Sequence, residues 1–207
     1  MDLDLPIAIR GLIFGFTIAA AVGPITLLVI RRTIEHGGLY GFASGMGVAT
    51  ADFTYGAVAA FGLTALTTIL VSAHTVLAVV GGAIIVYLGV RTAMDRPKGP
   101  ATAEERPGLL GAYASIYALT LANPLTILLF AGFFASLGLP PGSNFGDAAA
   151  LSVGVGLGST LWWIVLCTVL GWVRGRLSAT VMLWINRISG TAIALFGVLA
   201  IASAFQA

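Results

Sequence analysis

The sequence predicts an all-α integral membrane protein with six transmembrane helices, arranged as two inverted three-helix repeats whose first and fourth helices are broken by proline. Three observations carry this prediction. Hydrophobic residues make up 58% of 207 positions and charged residues 9%. With a mean hydropathy of +1.02, that composition is too apolar for the surface of a water-soluble domain of this size. Apolar stretches long enough to cross a hydrocarbon core of about 30 Å occur six times. Pro24 and Pro124 stand one hundred residues apart in matching contexts, Gly11 to Thr26 and Gly111 to Thr126, each inside such a stretch.

The spans are expected at 7–30, 41–70, 75–94, 109–137, 147–172 and 182–204. The first follows an acidic opening, Met1-Asp2-Leu3-Asp4-Leu5-Pro6, with no small-residue cleavage pattern behind it, and so reads as a retained helix rather than a signal peptide. The second holds Gly45, Gly47 and Asp52, and only Ser72, His74 and Thr75 mark its turn into the third. These spans form a first repeat, 1–94. Residues 95–108 are rich in proline and charge and read as a solvated cytoplasmic linker. The second repeat, 109–207, opens on the span with Asn123 and Pro124, continues through the longer connection Leu137 to Gly146, and ends on the fifth and sixth spans.

Charge sets the orientation. The loops near 31–38, 91–108 and 173–181 hold Arg31, Arg32, Arg91, Arg96, Lys98, Arg106, Arg174 and Arg176, with Arg187 close by, and the opposite face has only Arg10. The positive-inside rule then puts these loops in the cytoplasm and both termini outside a cytoplasmic membrane. The net charge of +2 therefore serves topology and not a nucleic-acid partner. The expected partners are a small-molecule substrate and the lipid bilayer, and self-association is left open.

Two further pairs of blocks repeat. Gly45-Met46-Gly47-Val48-Ala49-Thr50 matches Gly154-Val155-Gly156-Leu157-Gly158-Ser159, and Gly82 to Val90 matches Gly190 to Val198. Each half has three spans, an odd number, so the halves must cross the membrane in opposite senses. Secondary transporters use this construction for alternating access.

A proline inside a spanning helix frees backbone groups, and such a gap persists at bilayer depth only where something lines or fills it. Pro24 would start a second half-helix with Gly23 free to take non-helical angles; Asn123 would cap the other, with Pro124 at its first position and Thr126 at its third. Exposed amides and partial positive charge at such ends favour an anionic group like a carboxylate. The plainer reading is a pair of kinks that only shape the bundle.

Asp52 is the acid well inside a span, eleven residues past Gly41 and so about 16 Å along a helix. It needs a partner or a proton: a substrate ammonium, a coupling cation, or a hydroxyl such as Thr50 or Tyr55. Thr50 and Ser159 are candidate hydrogen-bonding groups. Trp162 stands at the equivalent region of the second half, where its ring could either contact an ammonium or simply pack. The glycines at 41, 45, 47, 154, 156 and 158 suit close helix packing or hinges.

Cys167 is a lone thiol and excludes a disulfide framework within the chain. His36 and His74 lack the companions a metal site needs, Glu35 and Asp147 read as solvated, and no phosphate loop, nucleophile elbow or His–carboxylate cluster occurs. No cofactor and no enzymatic activity is expected.

The stretch Val22 to Gly56, together with Leu121 to Phe130, resembles the LysE family of amino-acid exporters, and the likeness extends over most of the chain. The family's Pro-Gly-Pro of the first span stands here as Val22-Gly23-Pro24, whereas the Gly-x-Gly with its acid and the Asn-Pro match. The resemblance implies efflux of amino acids or similar small zwitterionic or cationic metabolites, driven by the proton gradient or membrane potential. A substrate would then contact Gly23, Pro24, Thr26, Thr50, Asp52, Asn123, Pro124, Thr126, Ser159 and Trp162, with Asp52 also the coupling group. A divalent-cation transporter is the alternative nearest to this, and a non-transporting membrane scaffold is an alternative of another class.

Overall fold

The computed structural model of the chain describes residues 6–60, 74–94, 108–123, 126, 127, 129, 130, 144–176 and 179–205. The expected linker before Gly108, the turn between the second and third spans, Pro124 and the connection before Asn144 lie outside the described residues. Among these residues the chain is helical throughout: α1 (Ile7–Ala20), α2 (Pro24–His36), α3 (Gly38–Ala60), α4 (His74–Met94), α5 (Leu109–Leu121), α6 (Phe145–Val173), a 3-10 turn (Arg174–Arg176) and α7 (Ala179–Ser203).

Phe145–Val173 and Leu183–Ala202 are each long and apolar enough to cross a membrane, and α1 with α2 makes a third candidate as a pair bent by 74°. The surface is inverted relative to a soluble protein. Val80, Ile84, Leu157, Val169, Leu195 and Leu199 are exposed, while Ser44, Asp52, Thr92, Thr120, Ser159 and Asn186 are buried. Lipid solvates such an exterior, and polar groups turn inward to find partners.

The first span is two helices because α1 stops at Ala20 and the chain runs extended through Gly23 before Pro24 restarts it at the first helical position. α2 then continues to His36, past the expected end at residue 30. Its charges do not end the helix because protein groups meet them. Arg31 pairs with Glu35 at 2.8 Å and donates to the Thr92 hydroxyl of α4 at 2.6 Å. Arg32 reaches Ser44 of α3 and the Ala112 carbonyl and Ser115 hydroxyl of α5 at 3.1–3.3 Å. Glu35 also accepts from Asn186 of α7 at 3.3 Å, which corrects the expectation of a solvated carboxylate. His36, expected in a loop, closes α2 and stacks on Tyr40 with centroids 4.7 Å apart. Gly37 follows at φ 105° and ψ 165°, a conformation that only glycine adopts without strain.

The fifth span opens with a capping box. Asn144 accepts from the Asp147 amide at 3.1 Å and its own amide donates to the Asp147 carboxylate at 2.9 Å, so Asp147 is a cap rather than a free surface charge.

Small residues bring the helices together. α1 packs on α6, α3 on both α5 and α6, α4 on α7, and α2 on α3 and α7. A side chain at Gly11 or Gly15 would run into the α6 backbone at Leu151 and Val155, and one at Gly154 or Gly158 into the α1 backbone at Ala8 and Leu12. The matched blocks at 82–89 and 190–197 meet each other: Gly89 lies against Gly190 and Ala194, and Gly197 against Gly82 and Val86. These contacts favour close packing over hinges as the role of the glycines.

Candidate functional site

The two breaks expected from sequence lie beside one another. At the first, Ala21 to Gly23 separate α1 from α2, and the amides of Ile25 and Thr26 have no helical carbonyl one turn earlier. The Thr26 hydroxyl donates to the Ala21 carbonyl at 3.0 Å, satisfying one acceptor that the break frees. Gly23 sits at φ −135° and ψ −177°, extended backbone open to any residue, so conformational freedom is not what glycine supplies here. Nor does packing require it, since a Cβ at this position would meet nothing within 4 Å.

At the second break α5 ends at Leu121. The Asn123 amide donates to the Thr120 carbonyl at 3.1 Å, and by Ile127, whose amide donates to the Asn123 carbonyl at 3.2 Å, the chain is helical again. The Asn123 side-chain amide donates to the Thr126 hydroxyl at 3.0 Å. From α3, the Tyr55 hydroxyl donates to the Leu121 carbonyl at 2.6 Å, so a freed acceptor is again met by a side chain.

Asp52 lies between the breaks, only 3% exposed. Its Oδ2 accepts from the Ser159 hydroxyl of α6 at 2.7 Å, and no cation stands within ion-pairing distance of it among the described residues. A carboxylate with one protein donor keeps lone pairs available to a further donor. At this depth a full negative charge requires such a partner, or else a proton.

Gly23, Pro24, Thr26, Asp52, Asn123 and Thr126 line a common cavity of about 70 Å3. Space of that order admits several waters or a small polar solute. Ile18, Ile25, Val48 and Leu129 are among its apolar walls, and Thr120 and Trp163 also line it.

The other expected residues fall elsewhere. Ser159 touches the site through Asp52. Thr50 does not line the cavity, and its hydroxyl donates to the Met46 carbonyl at 2.8 Å; the hydroxyl partner of Asp52 comes instead from the second half. Trp162 is also outside the lining and meets Phe16 edge to face, with centroids 5.5 Å apart. Its neighbour Trp163 forms the wall. Helical phase carried that signal: Ser159 and Trp163 are four residues apart and share a face of α6.

Comparison with known proteins bears on what this cavity serves. The family model described as "LysE type translocator" matches residues 16–204. The chain is similar to the "Putative amino acid efflux protein YcgF" of Bacillus subtilis (strain 168), at 25% identity over 190 residues covering 90% of each chain. No solved structure matches the chain. The family match spans both breaks, Asp52 and the whole cavity lining, and on it the chain belongs to the LysE type translocators, a family of transporters and not of enzymes.

Proposed function

We propose that the protein is a secondary exporter of amino acids or similar small metabolites in the cytoplasmic membrane, with both termini outside and substrate bound between two inverted three-helix repeats. The observation that carries this reading is the single cavity shared by Asp52 and the α1–α2 break. A zwitterion presents a carboxylate and an ammonium a few ångströms apart. The first-turn amides of α2 suit the carboxylate and Asp52 the ammonium.

Packing supports the inverted repeat. Exchanging the halves turns the contact of α1 with α6 into that of α5 with α3, and both occur; the contacts of α3 with α6 and of α4 with α7 map onto themselves. The site breaks that symmetry, since Asp52 is met by Ser159 and not by a second acid. Divalent-cation transport fits less well. Such ions take six or more oxygen ligands, commonly from several carboxylates, and among the described residues the cavity lining offers one. Export is driven by the proton gradient or the membrane potential, with Asp52 as the coupling group.

Counterflow in proteoliposomes, run against amino acids and divalent metals with a pH gradient imposed or collapsed, tests this reading. Amino-acid exchange that responds to the gradient is expected. Exchange of metals alone, or of nothing, would refute it.

A further inference from the structure

We infer that the cavity selects neutral aliphatic amino acids and rejects cationic and anionic ones, an inference that rests on the amino-acid reading of this site. It follows from counting charges. The chain has eight acids: Asp2, Asp4, Glu35, Asp52, Asp95, Glu104, Glu105 and Asp147. Glu35 is engaged by Arg31 and Asn186 at the far end of α2, and Asp147 closes the α6 capping box. Asp2 and Asp4 belong to the N-terminal segment, and Asp95, Glu104 and Glu105 to the inter-repeat segment. Among the described residues, Asp52 is the one acid that lines the cavity.

Once Asp52 holds the α-ammonium, a second ammonium on a lysine-like side chain finds no counter-charge among the described residues of the lining. The cost of a lysine at a helix centre corresponds to a discrimination of about 100-fold. An acidic side chain fares no better, because it would bring a second negative charge beside Asp52 while the amides of α2 are already taken by the α-carboxylate.

The remaining walls fix the class further. Ile18, Ile25, Val48 and Leu129 present aliphatic surface. Of the hydroxyls in the lining, Thr26 donates to the Ala21 carbonyl and Thr120 to the Ile116 carbonyl, whereas Thr126 accepts from the Asn123 side-chain amide at 3.0 Å. Apolar residues thus make up most of the lining that a side chain would meet. Val48 is the specificity-determining position, buried in the lining four residues before Asp52 and so on the same face of α3.

The test is counterflow of labelled valine, lysine and glutamate with the full-length protein in proteoliposomes. Valine should exchange, and lysine and glutamate should be weaker by about 100-fold. Val48→Asp, which sets a second carboxylate one turn from Asp52, should raise lysine exchange relative to valine by about tenfold or more. Should that variant fail to assemble, the wild-type ranking decides alone. Lysine exchanging as readily as valine in the wild type overturns the inference and leaves amino-acid transport standing. No exchange of any amino acid overturns both.

Discussion

Asp52→Asn separates charge from shape at the centre of the site. The amide is nearly isosteric with the carboxyl, and its oxygen can still accept from Ser159 where Oδ2 now does at 2.7 Å, so the contact between α3 and α6 survives. What is lost is a charged acceptor for a substrate ammonium. A hydrogen bond to a charged partner contributes about 1.5–3 kcal/mol net. At about 1.4 kcal/mol per tenfold, the half-saturation concentration in counterflow should rise by roughly 10- to 100-fold. Uphill efflux driven by a pH gradient should also collapse, because the asparagine side chain does not titrate. Ser159→Ala calibrates the result, since it leaves the carboxylate and removes one donor, a smaller perturbation. Detergent-solubilised Asp52→Asn should elute as the wild type does, showing that assembly is intact. If it transports with wild-type half-saturation and rate at every pH, Asp52 neither binds substrate nor couples, and the charge argument fails.

Other substitutions probe the frame around the site. Pro24→Ala restores an amide at the first position of α2 and lets the break anneal toward a continuous helix, so substrate affinity in counterflow should fall; unchanged transport would reduce the break to a kink. Gly37→Ala forces a side chain onto φ 105° and against the Arg174 guanidinium, at a cost of about 1–3 kcal/mol that should show as a lower melting temperature in detergent. Gly45→Ala and Gly56→Ala are the same change on one helix with opposite expectations. At Gly45 the methyl would lie 2.7 Å from the stem of Trp163, an overpacking of about 1–3 kcal/mol, whereas at Gly56 it would lie 3.5 Å from Ser152 and Val155, an ordinary contact. Equal melting temperatures for the two would contradict the packing described.

The spans were legible where a continuous aliphatic run ends in polar or glycine-rich sequence: 147–172 was expected and 145–173 is helical, 75–94 was expected and 74–94 is helical. The helix of the first span runs past residue 30 for a physical reason. A run of charges reads as the end of a membrane helix, yet Arg31, Arg32 and Glu35 extend α2 because Thr92, Ser44, Ser115 and Asn186 receive them. The breaks were legible because proline, glycine and asparagine act on the backbone locally, and Asp52 because a lone acid in an apolar run is costly. Thr50 and Trp162 fall outside the cavity lining because of helical phase. At about 100° per residue, Thr50 lies some 200° around α3 from Asp52, while Trp163, and not Trp162, returns to the face of Ser159.

The contact between Asp52 of α3 and Ser159 of α6 joins the two halves of the sequence at a point that neither half predicts alone. Both side chains are short, each with its polar atom two or three bonds from Cα, so a direct bond of 2.7 Å requires α3 and α6 to approach closely. Leucine-lined interfaces hold helix axes about 8–10 Å apart, and longer polar side chains would be needed to bridge a wider gap. Along α3, Gly45 faces Trp163 and Gly56 faces Ser152 and Val155 of α6, while Gly156 of α6 faces Phe53. These glycines flank the contact on either side and let the backbones close on it. Gly45 and Gly156, one glycine from each matched block, thus stand beside the contact at which the Asp52 carboxylate finds its donor. A bulkier residue at Gly45 would reach the site through Trp163 without touching a substrate.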